Sequence, residues 1–271
     1  MKGNYSTQIE NIINEYLRAN YNLDTKSLDD VIKNILVNYS KINEVNIDGI
    51  NFLFADSIIS NTVQFVAGEI NYGKEYDFKN MAFNEGDTVI DIGGNIGMVS
   101  IYLAKKYPFL KIYAYEPLLQ NYENFVYNIK LNNIPDGTIH VENKAVTCDG
   151  REVGMSINAL NTGGSSISDV ISVGAINQEI NNHVQSTTLH DIFKTHKINK
   201  LRLLKIDCEG SEYEILHNTD REILKNIQTL RGEFHENKNL TDKYDVDELY
   251  NFISQYITDI KVVKARGCFV M

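Results

Sequence analysis

Tryptophan is absent from this 271-residue chain, and proline and cysteine occur only three times each. Cys148, Cys208 and Cys268 are odd in number and far apart, with no C-x-x-C pair. That excludes a disulfide framework or zinc knuckle and makes a reduced, cytoplasmic setting the expectation. The six histidines show no H-x-x-x-H pairing, so no metal is expected. No apolar stretch approaches the roughly 20 residues a membrane span needs. The start, Met1-Lys2-Gly3-Asn4-Tyr5-Ser6, leads into a polar amphipathic segment, so no secretory signal is expected. Basic charge is also short: Lys and Arg number 26 against 36 Asp and Glu, a net charge of −10. A non-specific grip on nucleic acid needs lysine and arginine to neutralise phosphate, so no nucleic-acid partner is expected.

What is present is the composition of a packed globule, 43% hydrophobic. The length suits one large α/β domain with an appendage, or two small domains. Ile9, Ile12, Ile13, Tyr16 and Leu17 form an amphipathic helical stripe, and Leu28, Val31, Ile32, Ile35, Leu36 and Tyr39 form another, opened by Ser27 with Asp30 three residues on. Neither carries chemistry. Residues 1–80 therefore read as a helical cap and lead-in, able to wall a cleft or make a homodimer contact. Short strand-like pieces follow at Val45 to Ile47 and Asn51 to Phe54, then Phe65 to Ile70.

From residue 81 strand and helix signals alternate. Strands are expected at Val89 to Asp91, Lys111 to Tyr115, Ile139 to Glu142, Leu201 to Ile206 and Thr229 to Phe234. Helices are expected at Met98 to Lys106, Asn121 to Leu131, Ser211 to Asn218 and Asp245 to Tyr256. This spacing implies βαβ units and a doubly wound parallel sheet. Gly150 to Gln185, rich in Gly, Ser and Asn, reads as an inserted hairpin or loop. Ile257 to Val263 and Cys268 to Met271, around Lys264-Ala265-Arg266-Gly267, read as a closing hairpin.

The richest stretch is Thr88-Val89-Ile90-Asp91-Ile92-Gly93-Gly94-Asn95-Ile96-Gly97. An apolar run, an acid and a glycine turn before a helical pattern make a buried strand and loop at which backbone can approach a nucleotide-like ligand. A dinucleotide fingerprint starting at Gly93 would need glycine where Asn95 and Met98 stand. The D-x-G-x-N-x-G spacing instead resembles motif I of the class I methyltransferases, which bind S-adenosylmethionine. Glu116, in Tyr113-Ala114-Tyr115-Glu116-Pro117, lies 25 positions after Asp91 (116 − 91) at the tip of the next expected strand. A carboxylate there can accept both ribose hydroxyl hydrogens. Alternatively it is a surface acid before a helix started by Pro117.

The third anchor is Leu203-Leu204-Lys205-Ile206-Asp207-Cys208-Glu209-Gly210-Ser211-Glu212-Tyr213-Glu214. Together with the Asp91 to Gly97 loop, Tyr115-Glu116-Pro117 and Thr188-Leu189-His190-Asp191, it resembles the FkbM family of methyltransferases, whose motif reads L-K-I-D-x-E-G-x-E. Gly163-Gly164-Ser165-Ser166 and Gly232-Glu233-Phe234-His235 also look like family positions. His190 departs from the family, which more often has Asp.

The resemblance covers roughly Glu85 to His235 and implies a seven-stranded, mostly parallel Rossmann-like sheet with an antiparallel last strand. It implies S-adenosylmethionine as cofactor and O-methylation of a sugar, glycan or secondary-metabolite hydroxyl. Cofactor contacts fall on Asp91, Gly93, Asn95, Gly97, Glu116, Pro117, Ala145 and Asp207; catalytic candidates are Asp207, Glu209, Glu233 and His235. Tyr72, Tyr76, Ser165 and Ser166 are substrate-side candidates. Cys208 reads as a small buried hydrophobe rather than a nucleophile. N-methylation, an NAD-dependent oxidoreductase and an inactive scaffold are the alternatives.

Overall fold

The computed structural model describes residues 40–57, 60–73, 76–156, 166–167, 179–236 and 245–266. The two N-terminal helical stripes, Ser165 and the segment Cys268 to Met271 lie outside these residues.

Among the described residues a hairpin comes first: β1 (Ser40–Ile47) pairs antiparallel with β2 (Ile50–Ser57). Asp48 and Gly49 connect them, both at positive φ (53° and 78°). That is the two-residue turn whose twist suits a hairpin, and Asp-Gly accommodates it at little steric cost. Phe52 and Phe54, two apart on β2, point into the core. Helix α1 (Thr62–Tyr72) follows and contains Phe65 to Ile70. A 3₁₀ turn at Phe78–Asn80 leads into the main sheet.

That sheet contains β3 (Thr88–Ile92), β4 (Lys111–Tyr115), β5 (Ile139–Glu142), β11 (Leu203–Ile206), β12 (Thr229–Glu236) and β13 (Asp259–Arg266). Its order is β13-β12-β11-β3-β4-β5, with all neighbours parallel. The connecting helices are α2 (Met98–Lys106), α3 (Leu119–Leu131), α4 (Leu189–Thr195), α5 (Glu212–Asn218), α6 (Arg221–Lys225) and α7 (Val246–Ile253). Between β5 and α4 lie β6 (Ala145–Val146), β7 (Val153–Ser156), β8 (Ser166–Ile167), β9 (Glu179–Val184) and β10 (Ser186–Thr187). β7 pairs antiparallel with β8 and β9, and β10 runs parallel to β6.

Apolar cores cover both faces of the sheet. Val89, Ile112 and Ala114 join one with α2 and Phe125, while Ile90, Ile92 and Tyr115 join the other with Leu189, Leu216 and Leu249. Burial on both sides explains why the strands read as unbroken apolar runs. Six strands are seen among the described residues, and the last of them, β13, is parallel to β12. The expected turn at Lys264-Ala265-Arg266 is corrected: the ladder continues to Glu236↔Arg266, so paired backbone extends through it.

The chain runs outward from β3 to β5, then returns to lay β11 against the other side of β3. Such a reversal opens a crevice at the carboxyl ends of the two strands. Candidate residues should gather there.

Candidate active site

The two strand tips touch. Gly93 has φ +76°, and a Cβ on it would lie 1.9 Å from the carbonyl oxygen of Asp207. Only glycine permits both the left-handed backbone and that approach. At Gly97 (φ +89°) a Cβ would lie 2.1 Å from the buried Phe125 ring. Asn95, between them, is also left-handed (φ 49°), a conformation Asn tolerates better than most residues.

Asp91 is wholly buried rather than facing the crevice. Ser100 Oγ donates to it at 2.6 Å, and Lys205 Nζ lies 3.2 Å from its other oxygen. Lys205 also donates to the carbonyls of Gly93 (2.6 Å) and Ile92 (3.3 Å). The pair therefore braces the glycine loop from beneath, and Asp91 can act on a ligand only through that loop.

Glu116 stands at the tip of β4, 5% exposed. Its Oε2 accepts from the Asn95 N–H at 2.7 Å, and its Oε1 from the Leu118 N–H at 3.0 Å and Asn121 Nδ2 at 3.3 Å. Burial nonetheless raises its pKa to about 7, opposed by these hydrogen bonds. A carboxylate has about four acceptor sites, and three are in use. It can take one further donor as it stands; a second requires the long Asn121 bond to give way. The carbonyl of Pro117 and that of Glu116 both accept from Asn143 Nδ2 (2.8 and 2.9 Å), which fixes the neighbouring loop. Ala145 is buried on β6.

Beyond the β11 tip the backbone is strained: Glu209 has φ 55° and Gly210 φ 104°. Such geometry in a non-glycine residue is held by its surroundings. Here the holder is Glu212, fully buried, whose carboxylate accepts from the Cys208 N–H (2.9 Å) and the Gly210 N–H (2.8 Å). Its Oε1 also lies 3.1 Å from His235 Nδ1. On the far side of the imidazole, Nε2 is 3.4 Å from Glu209 and 3.9 Å from Glu233. Glu212 and Glu209 hold the His235 pKa well above its usual value, against the pull of burial. Burial raises Glu209 to about 8 and Glu233 to about 7; for Glu209 the nearby His235 opposes the rise, while Asp207 adds to it. Tyr76, buried and stacked on Phe78, donates its hydroxyl to Asp207 Oδ2 at 3.3 Å.

Asp207, Glu209, Glu233 and His235 thus converge, and Tyr76 joins them. Ligand-type atoms of Asp207, Glu233 and His235 lie within 4.8 Å of one another, the convergence that their strand-tip positions led one to expect. Tyr72 does not join: it stands 80% exposed at the end of α1. Ser166 is described in its backbone alone, on β8. Burial, with Glu212 and Asp207 beside it, pushes the Cys208 thiol well up, as expected of an inert cysteine. Thr188 caps α4 by accepting from the Asp191 N–H, so that segment shapes a helix end rather than the crevice. The sequence reading missed the roles of Lys205 and Glu212. Both stand inside the Leu203–Glu214 string, which was the available signal.

Residues 91–259 match the Methyltransferase FkbM domain. Similar proteins include Methyltransferase 1 of Beauveria bassiana (strain ARSEF 2860), 25% identical over 188 residues that cover 63% of this chain and 72% of that protein. Methyltransferase sdnD of Sordaria araneosa is 27% identical over 187 residues, covering 59% and 70%. A solved structure, a SAM-dependent methyltransferase from Agrobacterium tumefaciens, aligns with TM-score 0.41 and 11% identity. That alignment covers 83% of this chain but 62% of the other, so the chain spans less than two thirds of it. The matched family region begins at Asp91 and takes in Glu116, the Lys205 to Glu212 string and His235, and the chain belongs to the FkbM family of S-adenosylmethionine-dependent methyltransferases.

Proposed function

We propose that the protein methylates a hydroxyl oxygen on a sugar, glycan or secondary metabolite of small or medium size. Two features of the crevice suit a nucleoside-bearing donor. Asn95 Oδ1 is buried with no hydrogen-bond partner, and Glu116 retains acceptor capacity beside it. Gly93, Asn95, Gly97, Glu116, Pro117 and Ala145 are the residues that would hold it. Bound there, S-adenosylmethionine supplies a methyl carbon already activated by its sulfonium, so the reaction depends mainly on placing the acceptor in line.

The observation that carries the oxygen reading is the cluster of Asp207, Glu233 and His235. A hydroxyl must lose a proton as it is methylated, whereas a neutral amine can attack without a base. Glu233, near pKa 7, is partly ionised at neutral pH and suited to take that proton. His235, held charged by the Glu212 carboxylate 3.1 Å away, keeps the acids together rather than acting as the base. Asp207, steadied by the Tyr76 hydroxyl, is placed to orient the acceptor. Family membership replaces the oxidoreductase alternative, and an inactive scaffold would have no use for a proton-taking group.

The test is incubation of the full chain with labelled S-adenosylmethionine and panels of sugar nucleotides, glycans and hydroxylated metabolites, watching for a product heavier by one CH₂. Glu233→Gln is expected to lower kcat by roughly 10²–10⁴-fold while cofactor affinity holds. Methylation confined to amines, or a Glu233→Gln enzyme with full turnover, would overturn the reading.

A further inference from the structure

A second group of metal-ligating side chains lies away from the acid cluster, on the face of β4 and β5 that carries Tyr113 and Tyr115. The strands are in register, with Tyr113 opposite His140 and Tyr115 opposite Glu142. Alternation sends His140 and Glu142, two apart on β5, to the same side. His196, the residue that ends α4, comes down on them and stacks on the Tyr113 ring at 3.8 Å. His140 Nε2 lies 3.4 Å from Glu142 Oε1, and His196 Nε2 lies 3.9 Å from the same oxygen. All three ligand atoms fall within 4.8 Å of one another.

We propose that His140, Glu142 and His196 bind a divalent transition-metal cation of the Zn²⁺ type. Two imidazole nitrogens and one carboxylate oxygen form a borderline donor set that suits Zn²⁺ and excludes Mg²⁺ and Ca²⁺, which prefer oxygen alone. Bond lengths near 2.0–2.1 Å in a tetrahedral site put neighbouring ligand atoms roughly 3.3 Å apart, so two edges of the polyhedron are already nearly formed. Lys144 Nζ occupies the outer oxygen of Glu142 at 2.7 Å and leaves Oε1 facing the imidazoles. The Tyr115 hydroxyl, 3.2 Å from His196 Nε2, and water can complete the shell.

Such a cation would tie the tip of β5 to the end of α4. It would sit one residue from the cofactor crevice, because the Glu142 carbonyl accepts the Glu116 N–H at 3.1 Å. The test is calorimetric titration of Zn²⁺ alone into the metal-stripped full chain near neutral pH. His140→Ala, Glu142→Gln and Asp207→Asn variants are compared, each first shown to melt cooperatively. His140 is more than half exposed, so its loss leaves the core intact. One site is expected, weakened by about tenfold or more in His140→Ala and Glu142→Gln but retained in Asp207→Asn. Co²⁺ in place of Zn²⁺ is expected to give a visible absorption band in wild type that His140→Ala abolishes. No binding by wild type, undiminished binding in His140→Ala, or loss in Asp207→Asn would overturn the proposal.

Discussion

Protonation of Glu116 can be perturbed by pH alone, and the structure fixes both the sign and the size of the response. The unfolded chain releases this proton near the ordinary 4.5, and the folded chain near 7. Between those values the native state holds more protons than the unfolded one, so this group lowers stability as pH rises and costs nothing below 4.5. At about 1.4 kcal/mol for each tenfold change, the full effect above pH 7 is about 3 kcal/mol. Glu209 and Glu233 contribute with the same sign, so the measurement must isolate Glu116. Chemical denaturation of wild type and Glu116→Gln, repeated from pH 4.5 to 8, does this through the difference between the two curves. The absolute stability of the variant is not the readout, because an amide turns one acceptor into a donor facing the Asn95 or Leu118 N–H. What is read is how that difference changes with pH: it should shift by about 3 kcal/mol between pH 4.5 and 7, then flatten. Hydroxyl donors from a bound nucleoside favour the ionised carboxylate, so S-adenosylmethionine should bind more tightly across the same window and release protons near pH 6. A flat difference curve, with cofactor affinity equally flat, would refute the reasoning.

Other perturbations follow from the same geometry. Lys205→Met leaves Asp91 buried without its counter-charge and should cost about 3–5 kcal/mol in a denaturant melt. Adding Asp91→Asn should recover part of that loss, and no recovery would argue against the pair as the cause. Asn128→Ala strips partners from Ala55 N–H, Ala55 C=O and Ile96 C=O and should cost about 3 kcal/mol or more by the same assay. Gly97→Ala adds left-handed strain and a clash with an immovable Phe125 ring, about 2–5 kcal/mol together. A thermal melt within a degree of wild type would show that the loop relaxes freely.

Much of the sheet could be read in advance because each βα unit carries its own local signals. Ile139–Glu142 and Met98–Lys106 fall where apolar spacing and flanking breakers place them. Lys264 to Arg266 misled because Gly267 resembles a turn residue, while the strand there is imposed by pairing with β12, a tertiary effect. Phe65 to Ile70 resembles a short strand beside the hairpin, yet it lies within a helix whose Phe65 faces outward while Ala67 and Ile70 are buried. Within the site, Asp207, Glu209, Glu233 and His235 were legible as strand-tip residues. Their mutual distances were not, since Glu212 and His235 are 23 positions apart and meet only when α5 docks beside β12. Glu116 was legible as an acid at the right place, but not as one whose oxygens already serve the neighbouring loop.

The outer edge of β2 in the hairpin is covered by side chains of the neighbouring helix. Asn128 on α3 and Asn132, which caps its C-terminal end one turn later, each donate to and accept from a residue of β2, Ala55 and Leu53 respectively. Four residues of helix advance about 6 Å and two of strand about 6.7 Å, so the two amides meet alternate residues almost in step. They serve as a two-rung counterfeit strand. The rim through which an unpaired strand recruits a stranger is closed from within, and a foreign chain could zip onto it only by tearing away four hydrogen bonds.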